Sequence, residues 1–496
     1  MTDRTWDLSD LSFSYKAVEC MVFAHIFITG LILFACAPMN MDVYVHMIHN
    51  QEIYLREEVV TAFEAENRVK IDIRHYEFDN LHEILGDDNA KPALVKVPFD
   101  KSAALMQKNI LMPIDSIISE EDLEAFKKEY LLMSLGALDG KQYLVPRKFE
   151  TRIMVFCKSK VSEAVSIWRE YRDQINTELQ KYNGYGLPDT YLLEEDPESW
   201  DYYDVFVVGW IWANRTYNGK KMARIAHRGQ NYSGTSLRII DRVFQLNGDI
   251  SEVNSMKGDG VIDAFYWEAV YVSAGIFNPQ MWEKRWAGKE IWQGFGRGEV
   301  FLSFMTQLDC FFIHGTGKDG LNGFLENPDD MGVATMPVGC SVELDTEKGV
   351  PRRIGKKTIS TGGWWWGIPK NSPVPAASFK FLSYITGISA QIQEGTRFGM
   401  IPVRKDVLED IQMLFGGMWI SDIYNVSLKQ LMHNGNVIIG SDAAFEKISS
   451  LYLKAWNDIV VNRNWSSDKM IPSRNYISKL IDTEYGQKIT EIATVK

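Results

Sequence analysis

A strand, a helix and a second strand follow one another near the start of the chain, and this succession limits the fold more than any other feature. Apolar residues alternate from Asp42 to Ile48, recur at helical spacing from Glu52 to Asn67, and alternate again from Val69 to Tyr76. Two strands joined by a helix of this length run parallel, with a right-handed crossover. The sequence therefore predicts an α/β fold built on parallel sheets.

The length and charge of the chain restrict the class of protein. A chain of 496 residues is long enough for two or more domains. Its net charge is -12 and it has no run of Lys and Arg, which argues against a nucleic-acid partner, because phosphate binding needs clustered cations. The 15 Trp, 21 Tyr and 25 Phe suit sugar binding and ordinary cores equally, so composition does not decide between them.

Three consecutive tryptophans, Trp364 to Trp366, stand between glycines in the segment Thr361–Arg404. In a buried strand they would alternate between two packing layers. The other interpretation, which we favour, is that at least one indole faces a ligand cleft. The order Gly-Gly-Trp-Trp-Trp-Gly-Ile-Pro-Lys, an Ala-Ala-x-Phe-x-Phe-Leu helix and Gly-x-Ile-Pro-Val-Arg resembles the C-terminal half of bacterial extracellular solute-binding proteins, of family 1, the maltose- and oligosaccharide-binding type.

Two further segments carry the same resemblance. The stretch Leu138–Pro146 has an Asp-Gly turn between apolar runs, which predicts a β-hairpin, and it is similar to the family's Asp-Gly-Lys-x-Tyr-Gly-Val-Pro motif. The stretch Met331–Gly339 is similar to the family's Gly-Val-x-x-x-Pro-x-Gly strand. The resemblance thus extends over both halves of the chain.

The resemblance implies a type II periplasmic-binding-protein fold, in which two α/β lobes with mostly parallel sheets enclose a ligand cleft. It implies a signal peptide at 1–35, a first lobe from 36–112 and 313–388, and a second lobe from 113–312 and 389–496, with helices at the C-terminal end. The implied function is that of a monomeric receptor of an ABC importer, without enzyme activity or cofactor. It would capture a carbohydrate, by preference an oligosaccharide, through cleft closure and deliver it to the permease.

An apolar run at 17–35 precedes Cys36 and is about the length of a short membrane span. It is either an uncleaved anchor or a signal peptide that is removed on export. Residues 33–36, Leu-Phe-Ala-Cys, resemble the lipobox of bacterial lipoproteins, in which the cysteine is lipidated. We favour the lipoprotein. Both interpretations place the protein in the periplasm or at the cell surface, tethered to a membrane.

The residues implied as ligand contacts share an aromatic face or a strong hydrogen-bonding group. They are Trp364, Trp365, Tyr202, Tyr203, Asp201, Glu150, Arg147 and Arg404. The aromatic rings would stack on sugar rings, the carboxylates would accept hydroxyl hydrogen bonds, and the guanidinium groups would donate them. The stretch around Asp201 has a second interpretation of equal weight, a helix capped by acidic residues. Four other tryptophans are assigned to the core or rim: Trp210, Trp212, Trp286 and Trp292.

The sequence shows no motif for metal binding or catalysis. We find no His-Glu-x-x-His, no Gly-x-Ser-x-Gly and no phosphate loop, and His46 lies in a predicted strand, so its spacing from His49 does not indicate a metal site. We therefore predict no catalytic residue, metal or cofactor. The sequence does not single out a catalytic pair of carboxylates among its 65 acidic residues, so a lipid-anchored extracellular carbohydrate-active enzyme stays the alternative. A receptor that signals to a membrane sensor is a third interpretation. Two interpretations fit the cysteines of the mature chain. Either Cys310 and Cys340 form a disulfide bond, or Cys157, Cys310 and Cys340 are three buried free thiols.

Overall fold

The computed structural model describes residues 38–77, 80–87, 89–217, 220–221, 224–315, 323–410, 419–432, 436–438, 444–465 and 471–489. Cys36 and the predicted leader lie outside these residues. Within the described ranges, no helix is both long enough and apolar enough to cross a membrane. The chain forms two compact units, one with the residues up to Val95 and Asn371–Tyr384, the other with Lys96–Lys370 and Ile385–Lys496. The lobe boundaries proposed from the sequence stay a prediction.

The secondary-structure elements are numbered along the chain. The strands are β1 (Met39–Val45), β2 (Val69–His75), β3 (Leu94–Pro98), β4 (Ala137–Leu138), β5 (Lys141–Gln142), β6 (Leu144–Glu150), β7 (Arg152–Cys157), β8 (Thr216–Tyr217), β9 (Lys220–Lys221), β10 (Arg224–Ala226), β11 (Val300–Thr306), β12 (Met331–Ala334), β13 (Leu344–Asp345), β14 (Val350–Pro351), β15 (Ile359–Gly367) and β16 (Asn436–Ile438).

The α-helices are α1 (His49–Tyr54), α2 (Thr61–Glu66), α3 (Leu81–Gly86), α4 (Phe99–Gln107), α5 (Glu120–Glu129), α6 (Lys158–Asn183), α7 (Tyr202–Asn214), α8 (Ser233–Gln245), α9 (Ile250–Ser255), α10 (Asp259–Ser273), α11 (Gln280–Glu283), α12 (Gly288–Gly296), α13 (Gln307–His314), α14 (Pro375–Ile385), α15 (Ile388–Phe398), α16 (Lys405–Glu409), α17 (Trp419–Met432), α18 (Phe445–Trp456) and α19 (Arg474–Leu480). Turns of π-helix occupy Leu55–Val60, Asn457–Val461 and Ile481–Tyr485, and 3₁₀ turns occupy Ile114–Ser116, Met133–Gly136, Pro197–Ser199 and Pro328–Asp330.

The first unit contains the predicted strand–helix–strand succession. Strand β1 is paired in parallel with β2 along its length, from Met39 opposite Val69 to Val45 opposite His75, and in parallel with the start of β3. Residues of β2 alternate between buried and exposed from Val69 onward, as expected for a strand with one face toward water. The α/β prediction from the periodicity of this segment is therefore confirmed.

The second unit holds two groups of paired strands. One group has the order β10-β11-β7-β12, in which β10 and β11 are parallel and β7 is antiparallel to both of its neighbours. In the other group, β15 is antiparallel to β6 and parallel to β16. Only Thr151 separates β6 from β7, and its backbone N–H donates to Gln307 Oε1 at 3.1 Å. The chain therefore passes directly from one group of strands to the other, next to Glu150 at the end of β6.

Two smaller predictions are also confirmed. Strands β4 and β5 form the predicted hairpin, and Asp139 and Gly140 at its turn have φ of 51° and 78°, the left-handed values that a tight hairpin turn requires. Cys157, Cys310 and Cys340 are buried free thiols, so the second interpretation of the cysteines is the correct one.

Candidate functional site

The tryptophan-rich strand β15 and its partner β6 form the base of the candidate site. Trp364 is opposite Lys148 and Trp365 is opposite Pro146, so the register skips Arg147. Such a β-bulge bends a strand and re-aims its side chains, which is why bulges are common near binding sites. The glycine before the tryptophans is required here, because an added Cβ at Gly363 would lie 2.5 Å from the carbonyl oxygen of Lys148.

The three tryptophans differ in exposure. Trp365 is 1% exposed, and its ring stacks on Phe99 with 5.6 Å between the ring centres. Trp366 is also 1% exposed, and its indole N–H has no hydrogen-bond partner among the described residues. Trp364 is only half-buried. Of the three indoles, Trp364 is thus the one with exposed surface.

A buried lysine lies against the Trp364 ring. The Nζ atom of Lys96 is 3.7 Å from the ring centre, and Lys96 is 2% exposed. Burial lowers the pKa of Lys96 well below its ordinary value, the cations of Arg147 and Lys148 lower it further, and Glu150 partly offsets them. The indole face stabilises an ammonium that has lost its water, since a cation is attracted to the face of an aromatic ring.

Glu150 and Lys148 form an ion pair whose charges act on Lys96. Lys148 Nζ donates to Glu150 Oε1 at 2.5 Å, and the two side chains are 3% and 22% exposed, respectively. Burial acts to raise the pKa of Glu150, but Lys148, Lys96 and Arg228 lower it below its ordinary value. Glu150 is therefore an ionised carboxylate that still reaches solvent, the kind of group that accepts two hydroxyl hydrogen bonds.

A second aromatic platform lies beyond Arg228. The Arg228 guanidinium donates to the Tyr232 hydroxyl at 2.8 Å and approaches the Asp309 carboxylate to 3.2 Å. Asp309 also accepts a hydrogen bond from Trp292 Nε1 at 2.8 Å. The Trp292 ring stacks on Phe312 with 4.0 Å between ring centres and an interplanar angle of 5°, and both rings are half-buried. The platform is held in place by hydrogen bonds at its edge.

Four contacting pairs make up a row of charged and aromatic groups, and the charges of neighbouring pairs act on one another. In order, the members are Trp364 with Lys96, Lys148 with Glu150, Arg228 with Asp309, and Trp292 with Phe312. Glu150 and Arg228 stabilise each other's charged forms, since each shifts the pKa of the other toward ionisation. Aromatic faces bind the apolar C–H faces of sugar rings, while carboxylates, ammonium and guanidinium groups bind hydroxyls. The arrangement suits a polyhydroxylated ring.

The predicted residues Asp201, Tyr202 and Tyr203 are positioned by α7. Asp201 caps this helix by accepting a hydrogen bond from the backbone N–H of Tyr203 at 2.7 Å. Tyr202 and Tyr203 are 2% and 0% exposed, and their hydroxyls donate to Gln245 Oε1 at 3.0 Å and to the Val342 carbonyl at 2.7 Å. These contacts match the helix-cap interpretation of the stretch. Ligand contact by the three residues stays a prediction.

The predicted donors Arg147 and Arg404 each form ion pairs with carboxylates of this chain. Arg147 donates to Glu394 at 2.5 Å, and the two side chains are 2% and 9% exposed. Arg404 lies 2.6 Å from a carboxylate oxygen of Glu129 and 2.7 Å from one of Asp406. The structure does not bring either arginine into the row of charged and aromatic groups by a hydrogen bond, and their contact with a ligand stays a prediction.

Six members of the row were missed or assigned elsewhere by the sequence analysis: Lys96, Lys148, Arg228, Asp309, Trp292 and Phe312. Lys96 had a usable signal, because it is a lysine in the wholly buried strand β3, and lysine is almost never fully buried without a reason. Lys148 follows the family motif directly but was not selected. Arg228 and Asp309 have no local signal, since their partnership joins distant segments. Trp292 was assigned to the core or rim, and its half-buried position agrees with the rim.

Comparison with known proteins gives one family and several structural likenesses. A family model described as bacterial extracellular solute-binding protein matches residues 58–414. The maltose-bound MalE3 of T. maritima is 14% identical, with a TM-score of 0.63, over 90% of this chain and 99% of that chain. A search of curated proteins found no match.

Two further solved structures are similar over nearly the same extent. The GacH receptor of Streptomyces glaucescens, studied without ligand and with acarbose, is 13% identical, with a TM-score of 0.62, over 92% of this chain and 99% of that chain. An ABC substrate-binding protein of Listeria monocytogenes in complex with cycloalternan is 12% identical, with a TM-score of 0.66, over 92% of this chain and 99% of that chain. At these identities the likeness concerns the fold, and it confirms the predicted type II periplasmic-binding-protein fold.

Proposed function

The chain belongs to the family of bacterial extracellular solute-binding proteins, and we propose that it is the receptor of an ABC importer that captures a carbohydrate, by preference an oligosaccharide. Membership of this family implies a position outside the cytoplasm, in the periplasm or at the cell surface. Beyond family membership, we propose a ligand class, a set of binding residues and delivery of the ligand to the permease.

The observation that carries the proposal is the row of charged and aromatic groups between the half-buried rings of Trp364 and Trp292. Two aromatic surfaces connected by ionised groups are suited to successive sugar units, since each unit offers an apolar face and a rim of hydroxyls. Trp364 and Glu150, both selected from the sequence, supply the stacking surface and the acceptor. Arg228 supplies donors, and its side chain is 26% exposed, so it reaches solvent.

The structural likenesses support a carbohydrate as the ligand class. The structures that resemble this chain include proteins bound to maltose, acarbose and cycloalternan. We propose that binding shifts the population toward a closed form, because contacts made only in that form favour it. The permease would then recognise the closed form.

Membrane attachment is a separate part of the proposal. The apolar run at 17–35 followed by Cys36 supports lipidation of that cysteine after removal of the leader. A single lipid chain binds membranes weakly, so stable anchoring of the protein would need the further acyl chains that lipoproteins carry. Mass spectrometry of the membrane fraction from the native host would detect the lipid on the N-terminal peptide.

A titration followed by product analysis tests the receptor against its enzymatic alternative. Calorimetric titration of the purified chain with malto-oligosaccharides should give saturable binding of one ligand per chain, and the sugar should be recovered intact by mass spectrometry. Trp364→Ala should reduce the affinity at least tenfold. Tyr476→Ala serves as the matched control, because Tyr476 is a 45% exposed aromatic residue outside the site. Recovery of a cleaved sugar would replace the receptor by a carbohydrate-active enzyme.

A further inference from the structure

Three potential metal ligands meet at the carboxyl ends of two neighbouring strands of the first unit. His46 directly follows β1, His75 is the last residue of β2, and Glu77 lies two residues beyond. Because β1 and β2 are parallel and Val45 is opposite His75, the residues that leave the two strands emerge side by side. One nitrogen or oxygen atom from each of the three residues lies within 4.8 Å of the others. The cluster consists of residues that the proposed carbohydrate site does not use.

The hydrogen bonds of the two imidazoles indicate which nitrogen carries the proton. His46 Nδ1 lies 3.0 Å from the carbonyl oxygen of Tyr76, which can only accept, so Nδ1 carries the proton. His75 Nδ1 lies 2.9 Å from a carboxylate oxygen of Glu52, which likewise accepts. A neutral imidazole that donates through Nδ1 has its lone pair on Nε2. His75 Nε2 is 3.9 Å from Glu77 Oε1, so this lone pair lies beside the third member of the cluster.

This pattern of outer hydrogen bonds is the one that metal-binding histidines have. A histidine that ligates a metal generally donates its other N–H to a backbone carbonyl or to a carboxylate, which fixes the ring and raises the basicity of the ligating nitrogen. His46 has the carbonyl and His75 has the carboxylate. Glu52 is itself held by the Arg56 guanidinium, with nitrogen–oxygen distances of 3.0 and 2.7 Å. The outer partners are thus already in place.

We propose that His46 Nε2, His75 Nε2 and the Glu77 carboxylate bind a divalent transition-metal ion of the Zn²⁺ type. Two imidazoles and one carboxylate suit such an ion, whereas Ca²⁺ and Mg²⁺ prefer oxygen ligands. Zinc bonds of about 2.0–2.1 Å place tetrahedral ligand atoms about 3.3 Å apart, so the three groups must close in slightly. Glu77 is 78% exposed, so its carboxylate can move toward the ion while the two imidazoles keep their outer hydrogen bonds. The fourth position would hold water or an oxygen atom of a ligand.

The proposal explains why the sequence pattern gave no indication of this site. His46 and His49 are close in sequence, but His46 follows a strand and His49 begins α1. The partners of His46 come instead from the neighbouring strand, about thirty residues further along the chain. A ligand pair that is assembled across two strands has no fixed spacing, in contrast to two histidines on one turn of a helix.

Calorimetric titration of the full chain with Zn²⁺ alone tests the site. One equivalent should bind with micromolar or tighter affinity, and Glu77→Gln and His75→Ala should each weaken the binding at least tenfold. Glu52→Gln should weaken it by about 10- to 100-fold, because it removes an outer partner. His49→Ala is the matched control, since it removes an exposed histidine nearby and should leave the affinity unchanged.

Circular dichroism and the absorption of bound Co²⁺ distinguish loss of the metal site from loss of the fold. Circular dichroism of each variant shows that it is folded, which is expected because His75 and Glu77 are exposed. Replacement of Zn²⁺ by Co²⁺ should produce the intense visible absorption of a four-coordinate ion, and Glu77→Gln should abolish it. Wild-type protein with only millimolar Zn²⁺ affinity would overturn the proposal. So would folded Glu77→Gln and His75→Ala variants with unchanged affinity, or a loss of binding in His49→Ala alone.

Discussion

The ammonium nitrogen of Lys96 lies 3.7 Å from the centre of the Trp364 indole ring. This contact explains how a lysine is accommodated in β3, all five residues of which are buried. The ring face replaces part of the hydration that the ammonium loses, and the lysine in turn fixes the orientation of the ring. Trp364 still keeps part of its surface exposed, and we assign that part to the ligand.

The two neighbouring tryptophans should respond differently to truncation. Trp364→Ala removes the proposed stacking surface, so carbohydrate affinity should fall at least tenfold, while the free energy of unfolding falls by about 2 kcal/mol or less through loss of the Lys96 contact. Trp365→Ala empties a volume in the core and should cost about 3–5 kcal/mol of unfolding free energy. Urea denaturation and calorimetric titration measure the two effects. Equal stability losses in the two variants would contradict the assignment.

Replacement of Glu150 should change both ligand affinity and acid stability. Burial acts to raise the pKa of Glu150, but Lys148, Lys96 and Arg228 lower it below the unfolded value of about 4.3. A depressed carboxyl pKa gives stability that is complete above the unfolded pKa and is lost as the pH falls through the folded pKa.

Wild-type protein should therefore lose more unfolding free energy than Glu150→Gln between about pH 5 and about pH 3 in urea titrations. At neutral pH the variant should be less stable and should bind carbohydrate more weakly, because Lys148 loses its counter-charge. An acid profile of Glu150→Gln that runs parallel to that of the wild type would show that the carboxylate has no such partners.

Asp100 should show the opposite pH dependence. Burial raises the pKa of Asp100 to about 6, the carboxylates of Glu446 and Glu150 add to the increase, and Lys101 opposes it. A raised carboxyl pKa means that the folded protein holds the proton more tightly, so stability decreases as the pH rises from about 3.9 to the folded pKa and is constant above it. Asp100→Asn should therefore increase the free energy of unfolding at neutral pH, by an amount on the order of 1 kcal/mol, and should have no effect near pH 3.

The control for this prediction is Asp173→Asn, which changes the same functional group on an exposed position of α6. Its stability should follow that of the wild type at both pH values. A neutral-pH gain as large as that of Asp100→Asn would assign the effect to net charge and not to burial of Asp100.

The Arg147–Glu394 pair should behave as a buried structural ion pair. Among the described residues, Arg147 Nη1 and Glu394 Oε2 have no hydrogen-bond partner, so each charge depends on the other. Arg147→Met or Glu394→Leu leaves one buried charge without compensation and should cost about 3–5 kcal/mol of unfolding free energy. The double variant should recover most of this loss, since apolar replacement of a whole buried pair is often neutral or stabilising.

A double-mutant cycle in urea measures this recovery, and a carbohydrate titration of the double variant separates the two roles of Arg147. If the pair is only structural, the double variant binds as tightly as the wild type. Stable protein with weak binding would favour the donor role that the family resemblance implies for Arg147.

Local patterns were sufficient for the fold because each element concerned shows its buried face in its own stretch of sequence. The periodicities between Asp42 and Tyr76 predicted β1, β2 and the helix between them. Each of these elements buries a regular apolar face, and such a face is visible in the sequence as its period. Turn chemistry was equally local, since Asp139 and Gly140 have the residue types that left-handed φ values require.

The candidate site was only partly predictable, because its contacts join distant segments. The pairing of Glu150 with Lys148 is local, but Arg228 and Asp309 meet only through the tertiary fold. The stretch that contains Asp201 and Tyr202 shows a second reason why the sequence did not define the site. A carboxylate beside aromatic residues suits a sugar site and a helix N-cap for the same reason, since in both it accepts hydrogen bonds, and only burial distinguishes the two.

The measurement that tests the central claim most directly is thermal unfolding of the purified protein against a panel of mono- and oligosaccharides. A ligand that binds only the folded state stabilises it by about 2.7 kcal/mol at a hundredfold excess over Kd. The account predicts that one or more oligosaccharides raise the midpoint by a few degrees, that Trp364→Ala abolishes the shift, and that the sugar is recovered unchanged. A panel in which no sugar moves the midpoint of the wild-type protein would contradict the assignment of a carbohydrate ligand.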